Sequence, residues 1–210
     1  MHGTVAWWAL VGAVATPAWL FLLARTCPST VRTHVSAVVC AACAVLCSAG
    51  IGWRFADDPG LVTWWWAGLC SLGLAVIDLH EHRLPRSWVA AMGFGVLVEF
   101  AVLTVQRGDP PALWRAVTAA GLVWLAMRLI EVFCAGAMGA GDTRLQAVLA
   151  LSLGWISWPA VLCGLMTGTL LLGVTAAVCW VWGHRGWKSR IPAGPSLLLG
   201  FWCALLVFAP

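Results

Sequence analysis

The chain has 210 residues, 62% of them hydrophobic and 10% charged, with a mean hydropathy of +0.92. That composition excludes a soluble domain, which needs far more charge to cover its surface. It points instead to helices that each spend about 20 residues crossing a bilayer, and it makes the net charge of +4 an asymmetry between loops rather than a nucleic-acid footprint.

The first apolar segment covers roughly residues 5–24. It lacks the basic region of a signal peptide, since its first positive charge, Arg25, follows the apolar run, so it reads as a retained span. A second segment, roughly 35–53, carries Cys40-x-x-Cys43. That spacing suits redox or zinc chemistry, but no second pair and no histidine at ligand distance accompany it, so these cysteines read as small packing residues. Further segments follow at roughly 61–78, 88–105, 112–133, 143–157, 158–182 and 194–209. The stretch 143–157 is short for a core of about 30 Å, and Gly154 and Pro159 are expected to break it from the next segment. The expected fold class is therefore an all-α integral membrane protein with about eight transmembrane helices and the lipid bilayer as its partner. Sixteen tryptophans are present. Those near segment ends, Trp7, Trp8, Trp64 to Trp66, Trp155, Trp158, Trp180 and Trp182, read as interfacial belts. Gly164 and Gly168 have the spacing of a close helix contact.

The basic residues set an orientation. Arg25, Arg32, Arg83, Arg86, Arg144, Arg185, Lys188 and Arg190 fall on one side, and Arg54, Arg107 and Arg115 on the other. The richer set belongs in the cytoplasm, which puts both termini outside. The last basic loop, Arg185 to Arg190, reads as topogenic charge in contact with headgroups.

Ionisable groups within spans are costly and each needs a reason. Glu131 stands one turn from Arg128, at pairing distance on a helix. Glu99, in mid-span, is either protonated or paired with Arg115. Asp78 closes the third segment and Asp142 opens the sixth, so two carboxylates distant in sequence reach one membrane face. If they face each other, like charge keeps both from ionising together and they share a proton. One then deprotonates a water while the other donates to a scissile carbonyl, which is peptide hydrolysis without metal or cofactor. Gly136, Gly139 and Gly141 before Asp142 permit unusual backbone angles and close approach of an extended chain. The bland reading of the same residues is a loop followed by an Asp N-cap. His80-Glu81-His82 lacks HExxH spacing and reads as a polar interfacial loop with no metal, in which His80 is placed to tune Asp78.

Three motifs occur in order. The first is an Asp at a helix end followed by Leu-Pro, namely Asp78 through Leu84 and Pro85. The second is Gly-x-Gly-Asp-x-basic, formed by Gly139, Gly141, Asp142 and Arg144. The third is Ile-Pro-x-Gly-Pro before a last span, formed by Ile191, Pro192, Gly194 and Pro195. Together they resemble the type IV prepilin peptidases, the GxGD intramembrane aspartyl proteases, over about residues 61–209. The resemblance implies a six-helix catalytic core at 61–210, preceded at 1–60 by two additional helices. It implies Asp78 and Asp142 as the catalytic pair and the other motif residues as positioning groups. It also implies, as substrate, a prepilin or pseudopilin whose short basic leader is cut at the cytoplasmic face of the inner membrane. No cofactor and no nucleic acid are implied. Two positions depart from the family pattern: Arg86 stands where Asp or Asn is usual, and Arg144 where Lys is usual. Relatives that also methylate the new N-terminus carry an insertion between the first two spans. Here that connection is about Arg25–His34, so peptidase activity without methyl transfer is expected. A proton-coupled transporter using Asp78, Glu99 and Asp142 as relays predicts inverted repeats, and no repeat is visible. A non-catalytic subunit of a pilus or secretion machine predicts tolerance to loss of either aspartate.

Overall fold

The computed structural model describes residues 2–27, 34–133, 139–181 and 192–209. Among these, the chain forms eight helices and no strands: α1 (His2–Thr26), α2 (His34–Arg54), α3 (Leu61–Glu81), α4 (Arg86–Arg107), α5 (Pro110–Phe133), α6 (Ala140–Ile156), α7 (Trp158–Val181) and α8 (Gly194–Phe208). Each falls on an expected apolar segment. Six are long and apolar enough to cross a bilayer. The other two, α6 and α8, have 17 and 15 residues.

The centre of the bundle is α3. Of its apolar window 61% is buried, against 17–33% for the other long helices. It packs against α1, α2, α4 and α8, while α6 packs against α4, α5, α7 and α8. The helices that carry Asp78 and Asp142 are therefore joined through α4 and α8, which touch both.

Without a hydrophobic difference between lipid and side chain, membrane helices associate through close packing and interhelical hydrogen bonds. Indole N–H groups supply several of these bonds. Trp19 of α1 donates to the Leu69 carbonyl of α3 at 3.0 Å. Trp65 donates to Ser48 Oγ of α2 at 3.0 Å, and Trp66 to the Ala91 carbonyl of α4 at 3.1 Å. Trp88 of α4 reaches Thr26 Oγ1 of α1 at 3.2 Å and lies flat against Gly73, where no side chain would fit. Trp64 is fully buried and donates to Asp58 Oδ2 at 3.0 Å. The belt expected at Trp64 to Trp66 is thus corrected. Successive residues on a helix point in different directions, so the three indoles bind three different neighbours. Trp7, Trp158 and Trp180 are exposed as a belt requires.

Backbone approaches complete the packing. Gly200 of α8 lies directly on Gly168 and Gly164 of α7, as expected for those two glycines. Gly154 does not break α6. It lies inside the helix, where its bare Cα lets Ala116 and Ala119 of α5 come close. The break comes at Ser157, whose extended backbone ends α6 and whose Oγ accepts from the Ala160 N–H to start α7. Arg115 does not pair with Glu99. Its guanidinium donates to the last carbonyls of α6, to Gly154 at 2.7 Å, to Ile156 at 3.1 Å, and to Trp155. Arg54 does the same for α8, reaching the Leu206 and Ala209 carbonyls at 3.3 Å each.

Candidate active site

α3 ends where His82 turns left-handed at φ 51°, and the His82 N–H donates to the Asp78 carbonyl at 2.9 Å. Pro85, whose ring cannot continue a helix, then serves as N-cap of α4. The Leu-Pro motif is therefore the turn that follows Asp78. The His82 ring also lies on the Asp78 carbonyl, at 3.2 Å, and is the imidazole within electrostatic reach of the Asp78 carboxylate. His80, singled out from sequence, points instead to the Val76 carbonyl at 2.9 Å. Glu81 pairs with Arg83.

Asp78 itself is 3% exposed. Its Oδ2 accepts the Gly194 N–H at 2.7 Å. Gly194 is the first residue of α8, so the carboxylate meets a helix N-terminus, where free N–H groups and the helix dipole both favour an anion. A Cβ on Gly194 would stand 2.9 Å from Oδ2, which explains why this motif position is glycine. Pro195 opens the helix without wasting a donor. Pro192 is half-buried just before it, and Ile191 lies outside the described residues, as does Gly136.

At α6 the N-cap is Gly139, not Asp142. Asp142 sits three residues on, in the first turn, and its carboxylate folds back toward the Gly139 amide. Acids at this position satisfy the free donor at the cap. Gly139 has ordinary angles, φ −82° and ψ 142°. The glycines here serve space rather than unusual dihedrals: a Cβ on Gly139 would lie 3.1 Å from Asp142 Oδ2, and one on Gly141 would lie 3.1 Å from Leu84 Cβ. The Gly141 contact holds the first turn of α6 against the loop that follows Asp78. The carboxylates of Asp78 and Asp142 are thereby brought within electrostatic reach of each other.

A supporting cluster was only half visible in the sequence. Glu131 of α5 pairs with Arg128 at 2.7 Å, as its i, i+3 spacing suggests. It also accepts from Thr143 Oγ1 at 3.2 Å, beside Asp142. Arg144 lies within electrostatic reach of this same Glu131.

Residues 61–183, more than half of the chain, match the type IV leader peptidase family. The chain belongs to that family. No curated protein and no solved structure gives a significant match. The leader peptidase match begins at Leu61, the first residue of α3, and runs through α7. It contains Asp78, Leu84-Pro85 and the Gly139–Arg144 motif, while the Pro192–Pro195 motif at the start of α8 lies beyond it. As a leader peptidase with six helices long and apolar enough to span a bilayer, the protein is a membrane-embedded peptidase.

Proposed function

We propose that this leader peptidase is an aspartyl endopeptidase in which Asp78 and Asp142 act together on a water molecule. The observation that supports this reading best is the meeting of two carboxylates, carried by helices that share no direct backbone contact, at one end of the bundle. One carboxylate takes a proton from water as the water attacks the scissile carbonyl. The other, protonated, donates to the carbonyl oxygen, which gives a tetrahedral gem-diol. As the C–N bond breaks, the first carboxylate passes the proton it took from water to the leaving amine, and the second recovers its own from the gem-diol hydroxyl, leaving a new carboxyl terminus. The pair titrates as a unit, so neither role is fixed to one residue.

The substrate in this reading is a prepilin or pseudopilin cut between its short basic leader and its hydrophobic segment. The basic loop residues Arg25, Arg83, Arg86 and Arg144 support a cytoplasmic position for the dyad and external termini. The connection between Thr26 and His34 is too short for a methyl-transferring insertion, so the new N-terminus leaves the site unmethylated.

Co-expression with a prepilin-like substrate from the same genome tests the reading, with the leader followed by gel shift and N-terminal sequencing. Wild type cleaves, and Asp78→Asn and Asp142→Asn at matched membrane levels do not. Cleavage that survives either substitution removes that aspartate from the mechanism.

A further inference from the structure

Gln146 is 1% exposed, and neither its amide nitrogen nor its amide oxygen has a hydrogen-bond partner among the described residues. It lines a cavity of about 10 Å³ between α6, α7 and α8, together with Leu149, Leu153, Gly164, Leu197 and Phe201. The position follows from helical spacing. Gln146 stands four residues past Asp142, about 6 Å along α6, and Leu197 three residues past Gly194, about 4.5 Å along α8. The cavity therefore lies one turn inward from the two helix starts that hold the aspartates.

An amide with both ends unpaired in an apolar interior is costly, because each polar atom has given up its bonds to water and gained none in return. The cavity has the volume of roughly one water molecule. The amide presents one acceptor and two donors to it, enough for a water to accept from Nε2 and donate to Oε1. All the other named walls are apolar.

We propose that this cavity is an internal water site, in which one water molecule is held by the Gln146 side-chain amide one helical turn inward from Asp142. Such a molecule is kept inside the bundle on the side away from the basic loops, where lipid would otherwise exclude it. The site is independent of the catalytic assignment, because it follows from burial, volume and the two unpaired atoms alone.

The composition of the chain makes the test direct. Gln106 and Gln146 are the two glutamines, and there is no asparagine. Selective ¹⁵N-glutamine labelling of the whole protein in nanodiscs therefore yields two side-chain NH₂ groups. Gln106 is exposed and serves as the surface control. Gln146→Leu assigns the second signal by its loss, and Gln106→Leu assigns it by elimination if the first variant does not fold. The expected result is cross-relaxation from water to the Gln146 NH₂ with the sign of a long-lived internal molecule. A Gln146 NH₂ signal that receives no magnetisation from water, while Gln106 does, means a dry cavity and overturns the proposal.

Discussion

Gly194→Ala is the most informative single change, because it adds one methyl group at one point of known geometry. The new Cβ would stand 2.9 Å from Asp78 Oδ2 and 3.3 Å from Asp78 Cβ and Cγ. A carbon cannot rest that close to a carboxylate oxygen, and the crowding atom belongs to a short, buried side chain with little freedom to retreat. The carboxylate and the start of α8 must separate by a few tenths of an ångström, which stretches the 2.7 Å bond from the Gly194 N–H. Hydrogen bonds to charged groups contribute about 1.5–3 kcal/mol. Losing half to all of one, in the state that binds and turns over substrate, lowers kcat/KM by roughly 3- to 140-fold at about 1.4 kcal/mol per decade. The assay is prepilin cleavage by purified protein in nanodiscs. Gly121→Ala is the matched control, since a Cβ there meets nothing within 4 Å. A Gly194→Ala enzyme as active as wild type, or a Gly121→Ala enzyme equally impaired, would refute the claim that Asp78 depends on this approach.

Three more outcomes follow from the packing. Arg115→Met strips the donors from the last carbonyls of α6 and should cost about 2 kcal/mol, read as a lower Tm in detergent, because those part-buried carbonyls lose their charged partner. An unchanged Tm would mean that water already serves them. Gly200→Val forces α8 off Gly168 of α7 and should cost on the order of 3 kcal/mol, with reduced accumulation in membranes. Normal accumulation and Tm would show that the crossing can open without cost. Glu131→Gln frees Thr143 and Arg128 beside Asp142 and should lower kcat while leaving membrane levels intact; a rise in KM alone would place Glu131 in substrate binding instead.

Much of this architecture was legible because hydropathy is a strong signal over 15 or more residues. Every helix was visible as an apolar run, and the shortness of 143–157 was visible too. What periodicity could not give was direction. Trp64, Trp65 and Trp66 look alike as a triplet at a segment end, yet they serve three neighbours, because adjacent helical positions diverge by about 100°. Arg115 looked like a partner for Glu99, since opposite charges on neighbouring segments invite pairing. Three carbonyls at a helix end offered it more. The site was legible in its motifs and not in their reasons. Gly139 and Gly141 suggested unusual dihedrals, and the structure uses them for room. His80 is nearer than His82 to Asp78 in sequence, but the left-handed turn at His82 brings the later ring back over the helix end. Gln146 gave no signal at all: a glutamine one turn from a motif is unremarkable until its burial is known.

The two arginine caps determine where the short helices keep their ends. At 1.5 Å per residue α3 is about 31 Å long, whereas α6 is about 25 Å and α8 about 22 Å. Each falls short of its central neighbour by several ångströms. Both have their first turns fastened beside Asp78, α6 through Gly141 on Leu84 and α8 through the Gly194 N–H. The shortfall therefore appears at the opposite end, where Arg115 and Arg54 cover the last carbonyls of α6 and α8. A bilayer that thickens or thins meets its mismatch there, at two guanidinium groups, and not at the aspartates. The two carboxylates stay level with each other because the helices that carry and cap them hang from the same end.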